Sequence, residues 1–93
     1  MEVRYKSRFK KALLSTPKHI QEAVFEVITK LEVADTIDSA HVDYKRMEGQ
    51  KKSTNYFRIR IGQYRLGLEY IKPNIMLITI MIRGDIYKSF PPK

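Results

Sequence analysis

Arg58 and Arg60 alternate with Phe57, Ile59 and Ile61, and Arg65 follows across Gly62-Gln63. Alternation with a period of two sends neighbouring side chains to opposite faces of a strand. A glycine-first, two-residue link such as Gly62-Gln63 suits a type II′ hairpin turn. That turn sets Ile61 against Tyr64, Arg60 against Arg65, Ile59 against Leu66, Arg58 against Gly67 and Phe57 against Leu68. One hairpin face is then apolar and must be core. The other carries Tyr56, Arg58, Arg60, Arg65, Gly67 and Glu69. Like charges set directly across a ladder cost roughly 0.2–1 kcal/mol per pair. A bound phosphate would remove that repulsion, because guanidinium groups give phosphate oxygens paired, charge-assisted hydrogen bonds. Gly67 opposite Arg58 leaves room there for a ligand to approach the backbone. The structural alternative is an edge hairpin whose arginines serve only as solvated charges against aggregation.

A second chemically capable group follows in Met81–Lys88. Arg83 closes a strongly apolar strand, and Tyr87 offers a phenol that exchanges a proton or stacks on a base. No side chain near these residues is a convincing general base. His19 and His41 fall at a helix start and in an irregular segment, where surface positions are expected.

The charge is unevenly spread along the chain. The net charge is +8 over 93 residues. Residues 1–19 balance to +5, residues 20–43 to −5, residues 44–65 to +6 and residues 66–93 to +2. A concentrated basic region suits a polyanion, and nucleic acid is the first candidate. A solvated basic face is equally consistent with charge alone. Lys45, Arg46, Lys51 and Lys52 precede the basic strand, and with Tyr56 they are candidate contacts to an RNA backbone. There is no cysteine. Disulfides and thiolate metal sites are therefore excluded, and a cytoplasmic location fits. The start, Met1-Glu2-Val3-Arg4, lacks the apolar run of a signal peptide, and Ile75–Ile82 is too short to span a bilayer as a helix.

Positioning these residues requires one domain over residues 1–93, with helices before strands. Met1–Tyr5 reads as a short first strand. Ser7 is placed to cap a helix through Leu14, with Phe9, Ala12 and Leu13 inward. Thr16-Pro17 reads as the N-cap and first position of a second helix. Ile20, Ala23, Val24, Val27, Ile28, Leu31 and Ala34 then recur at helical steps. Residues 35–53 lack a period and read as loop with a turn of helix. Pro73-Asn74 reads as the next turn, and Ile75–Ile82, apolar on both faces, as a doubly covered central strand. The expectation is an α+β domain with an antiparallel sheet and no long C-terminal helix.

The run Tyr56-Phe57-Arg58-Ile59-Arg60-Ile61-Gly62-Gln63-Tyr64-Arg65-Leu66-Gly67 resembles the "Y-R-I-R-x-G-x-Y-R-x-x" hairpin of RelE-type toxins. Met81–Tyr87 resembles the closing "H-R-x-D-I-Y" segment of the RelE/ParE superfamily, with Ile82 where many relatives carry histidine. The matching motifs cover about residues 55–90. The resemblance implies two N-terminal helices packed on a four-stranded, mainly antiparallel sheet. It implies a toxin of a type II toxin–antitoxin system that cleaves translated mRNA in the ribosomal A site, without metal or other cofactor. Carried over by position, Arg58, Arg60, Arg65, Arg83 and Tyr87 are the expected catalytic set. The implied partners are a cognate antitoxin, the ribosome with its mRNA, and operator DNA only as a toxin–antitoxin complex; no membrane is implied. Three other readings stay open: a ParE-like inhibitor of DNA gyrase, a catalytically weak member that only binds antitoxin and operator DNA, and an unrelated small nucleic-acid-binding module whose basic sheet and aromatics bind without cleaving.

Overall fold

The computed structural model describes residues 1–91. The chain runs β1 (Glu2–Tyr5), α1 (Ser7–Leu14), α2 (Lys18–Val33), a 3-10 turn (Asp38–Ala40), β2 (Tyr44–Arg46), β3 (Tyr56–Ile61), β4 (Tyr64–Ile71), β5 (Asn74–Ile82) and α3 (Arg83–Ser89). The five strands form one sheet in the order β1-β5-β4-β3-β2. β1 is parallel to β5, and the other pairs are antiparallel. The expected four-stranded sheet with two helices is thus corrected to a five-stranded mixed sheet with three helices. β2 escapes sequence reading because three residues are too few to display a period of two. α3 escapes it because its inward side is only Ile86, with Phe90 one turn beyond.

α1 and α2 cover one side of the sheet. Phe9, Leu13, Ile20, Val24 and Leu31 pack there against Ile59, Ile61, Leu66, Leu68, Ile75, Leu77 and Ile80. The apolar stripe of α2 was legible because the 3.6-residue period brings these positions onto one face. The caps differ from expectation. Lys6, not Ser7, precedes α1, and neither helix has a side-chain cap at its start. The Thr16 hydroxyl instead donates to the Leu13 carbonyl at 2.7 Å, closing the end of α1 rather than opening α2.

On the other side of the sheet, α3 seats Ile86 and Phe90 on Met47 and Ile78, a second small core. β5 is therefore covered on both faces, as its sequence requires. A register irregularity after Gly67 pairs it with Thr79 and Leu68 with Leu77, so Ile78 is the extra residue and joins the second core. The hairpin turn lies at Lys72-Pro73, one residue earlier than expected, and Asn74 already belongs to β5. Among the described residues, no helix is long and apolar enough to cross a membrane.

Candidate nucleic-acid interface

The β3–β4 hairpin has the register that its sequence dictates. Arg60 faces Arg65, Arg58 faces Gly67 and Ile61 faces Tyr64. Gly62 holds φ +58, while Gln63 stays at negative φ, the combination that a type II′ turn needs. The arginines therefore lie on the sheet face opposite α1 and α2.

Arg65 is the unusual member, because it is only 6% exposed. Its Nη1 donates to the Gly62 and Tyr64 carbonyls, both at 2.9 Å, which fixes the guanidinium beside the turn. Burial, followed by the charges of Arg60, Arg58 and Arg83, pushes its pKa below the ordinary arginine value, while Tyr87 acts in the opposite direction. Arginine nevertheless keeps its proton in proteins. Those electrostatic neighbours are the other four residues expected at the site: Arg60 faces Arg65 across the ladder, Arg58 and Tyr87 line one depression, and Arg83 is tied to the hairpin turn.

Arg83 is the first residue of α3, not the end of the strand as expected. Its N–H donates to the Gln63 carbonyl at 2.9 Å, and this ties the start of α3 to the hairpin turn. One turn along α3, Tyr87 is 61% exposed. It borders two depressions. A groove of about 950 Å³ runs between α3 and the 47–54 loop, with Tyr56, Lys51 and Phe90 in its walls. A smaller one of about 240 Å³ lies against Lys45, Glu48 and Arg58.

Arg58 is less available than its sequence position suggests. Its Nη1 lies 3.6 Å from Asp43 Oδ1 and donates to the Asp43 carbonyl at 3.3 Å. Its Nε is buried with no partner among the described residues. Arg60 is exposed, and no side-chain hydrogen bond or ion pair involves it among the described residues.

The RNA-contact candidates divide. Lys45 pairs with Arg58 across the ladder and shares the arginine face. Tyr56 is also on that face, half-buried, with its ring edge-on to Phe90 at 5.5 Å between centroids. Lys51 and Lys52 are exposed in the loop after β2. Arg46 turns the other way. It pairs with Phe57, sits 5.9 Å from that ring centroid, and donates to the Thr54 carbonyl at 2.6 Å. Gly67 does not leave space for a ligand, because the Phe90 ring fills it. Ile82 pairs with Tyr64, on the opposite side of the sheet from Arg65.

Sequence reasoning missed three residues that shape this site. Asp43 engages Arg58. Phe90 covers Gly67 and anchors α3. Gln50 holds the loop wall of the larger groove: its amide donates to the Met47 and Tyr56 carbonyls and accepts from Thr54 Oγ1 and the Tyr56 N–H, all within 2.9 Å. A lone glutamine in an aperiodic stretch carries no signal of that role.

No protein-family model matches the sequence. A protein named Toxin RelE3, from Methanocaldococcus jannaschii, is 31% identical over 91 residues, spanning 98% of this chain and 100% of that one. The chain belongs to the RelE toxin family. Among solved structures, the toxin–antitoxin complex RelB–RelE from Methanococcus jannaschii matches with a TM-score of 0.78 at 28% identity, over 95% of this chain and 99% of that one. The archaeal RelE–RelB complex from Pyrococcus horikoshii OT3 matches with a TM-score of 0.69 at 24% identity, over 90% and 96%. At that identity the second likeness speaks to the fold. This RelE-family chain thus shares its overall architecture with solved RelE structures.

Proposed function

We propose that this RelE-family chain is the toxin of a type II toxin–antitoxin pair and cuts mRNA in the ribosomal A site. The observation that carries this reading is the convergence of Arg58, Arg60, Arg65 and Arg83 with Tyr87, including an arginine held almost fully buried among like charges. Such an arrangement is electrostatically costly until an anion binds it.

In the proposed reaction, the ribose 2′-oxygen attacks the adjacent phosphorus and loses its proton. The bond to the 5′-oxygen breaks, and that oxygen takes up a proton from water, leaving a cyclic phosphate and a 5′-hydroxyl. Arg65, fixed by two carbonyls, supports the negative charge that develops on the phosphate oxygens, a large catalytic contribution when donors are preorganised. Arg60, exposed across the ladder from Arg65, reaches the same phosphate, and Arg58 adds positive charge to it from the same strand. Arg83, at the start of α3, faces the leaving oxygen. Tyr87 orients the 2′-hydroxyl or stacks on the neighbouring base. None of the five is a carboxylate or an imidazole, so this reading assigns the 2′ proton to a group supplied by the ribosome.

The solved relatives carrying RelB support an antitoxin as this chain's partner. An acidic segment lying over the arginines would satisfy the same charges as RNA.

Mapping mRNA 5′ ends after controlled expression, on translated and untranslated copies of one message, tests the reading. New ends within codons, on the translated copy only and absent with Arg65→Ala, are expected. Continued translation while DNA synthesis stops would replace it with gyrase inhibition. No effect on either process would leave a binding-only member.

A further inference from the structure

The chain has four methionines and no cysteine, so its only sulfur atoms are thioethers. Three of the methionines, Met47, Met76 and Met81, gather beneath α3 around Ile78, Ile86 and Phe90. Met47 is enclosed there, at 4% exposure, whereas Met81 is half-buried at the margin of that core. α3 has seven residues and no side-chain cap at its start. Its seat on the sheet therefore depends on Ile86, Phe90 and the methionines packed with them.

Met81 touches both the arginine face and the end of α3. It is the β5 partner of Arg65. Direct cross-strand partners point to the same face, with Cβ atoms roughly 4.5–5.5 Å apart. From α3, the Ser89 hydroxyl donates to Met81 Sδ at 3.4 Å, tying the last turn of the helix to β5. Among the described residues, Arg65 makes hydrogen bonds through Nη1 alone, so its remaining donors are the ones left for a phosphate. A thioether is too weak an acceptor to compete for them. Met76 pairs with Glu69 and Arg4, further along the sheet, and has no such neighbour.

We propose that Met81 is an oxidation site, through which a peroxide reversibly silences the arginine face. The Met81 sulfur lone pair attacks one oxygen of hydrogen peroxide. The S–O bond forms as the O–O bond breaks, and the proton on the transferred oxygen passes to the departing hydroxide, which leaves as water. Sulfur is oxidised by two electrons and the peroxide is reduced. The product is a sulfoxide, which replaces a flexible apolar side chain with a polar one. Beside Arg65, its oxygen takes the donors that a phosphate needs. Under α3, it places a polar group in an apolar seat. Both effects weaken phosphate binding, and methionine sulfoxide reductases reverse the step. The proposal rests on the phosphate-binding part of the functional reading above, not on the cut itself.

The experiment treats the full chain, Met81→Leu and Met76→Leu with graded hydrogen peroxide. Leucine conserves volume and has no sulfur to oxidise. Peptide mass spectrometry reads the sulfoxide at each methionine. Anisotropy with a short non-cleavable RNA and cleavage on ribosomes are measured beside the thermal midpoint. Met81 should oxidise ahead of Met47. RNA affinity of the parent and of Met76→Leu should fall about tenfold or more, the scale of one diverted charge-assisted hydrogen bond. Met81→Leu should keep its affinity through the same treatment, and sulfoxide reductase should restore the parent. Met81→Gln, with an amide oxygen in place of the sulfoxide, should lose affinity without any oxidant. Met81 staying reduced while Met47 or Met76 oxidises overturns the proposal. So does an equal loss in Met81→Leu, or unchanged affinity in fully oxidised parent or in Met81→Gln. An untreated chain that binds the RNA but does not cut on ribosomes overturns the endonuclease reading alone. One that does not bind the RNA overturns both.

Discussion

A Cβ atom on Gly67 would lie 3.1 Å from three carbons of the Phe90 ring. The glycine in the arginine strand therefore serves the packing of α3, not the entry of a ligand. Gly67→Ala is expected to push Phe90 outward and tilt α3, with Tyr87 on it. Overpacking of this kind costs about 1–3 kcal/mol. The check is a thermal midpoint beside a cleavage assay, with activity falling more than the remaining folded fraction explains. Wild-type stability in Gly67→Ala would show that the ring yields freely.

Arg65 is expected to separate stability from activity. Replacing it with methionine removes a buried charge and its repulsion from Arg60, Arg58 and Arg83. Swapping a buried charge for an apolar side chain of similar length is often neutral or stabilising. Arg65→Met should thus keep or raise the midpoint while lowering cleavage about 100- to 1,000-fold, the usual scale for a lost oxyanion donor. A large drop in midpoint would instead assign Arg65 to the turn, through its bonds to Gly62 and Tyr64.

Asp43 restrains Arg58, and its release should be visible in binding. The pair is 3.6 Å apart, with the aspartate side chain 60% exposed. Asp43→Ala is expected to cost no more than about 1 kcal/mol, since partly exposed pairs are screened. RNA affinity should rise, because Arg58 gains freedom and one negative charge leaves the basic face. Titration of a non-cleavable RNA checks the sign.

Tyr44 supplies the pH signature. Its hydroxyl donates to Asp38 Oδ1 at 2.7 Å. That hydrogen bond first, then desolvation and the Asp38 charge, raise the phenol above its ordinary value of 10.0. A raised pKa stabilises the fold fully below the unfolded value and loses that contribution as pH climbs through the folded one. The window is therefore alkaline, and neutral-pH stability is insensitive to it. Asp38→Ala should return the Tyr44 resonance to a lower titration midpoint by NMR; an unmoved midpoint would discount the pair.

The Met1 ammonium donates to the carbonyls of Leu31, Glu32 and Ala34 at 3.1, 2.8 and 2.9 Å. A cation there meets the negative end of α2, an interaction of about 0.3–2 kcal/mol depending on burial. Acetylating that amine should lower the midpoint measurably while leaving RNA affinity unchanged.

The sequence by itself determined the hairpin and its register. Strict alternation and the glycine at position 62 admit one pairing that buries Phe57, Ile59, Ile61, Leu66 and Leu68 together, and that pairing sets Arg60 against Arg65. It also determined α1 and the apolar face of α2, because these are local periodicities. Only the tertiary structure decided which cations are available. β2 exists because β3 offers it an edge, and that pairing sends Lys45 towards the arginines and Arg46 towards Phe57. Asp43 meets Arg58 across 15 positions in sequence. α3 forms where Ile86 and Phe90 find Met47 and Ile78, and it carries Arg83 and Tyr87 to Arg65. Such contacts join residues far apart in the chain, and no local pattern of polar and apolar residues encodes which distant partner a side chain meets.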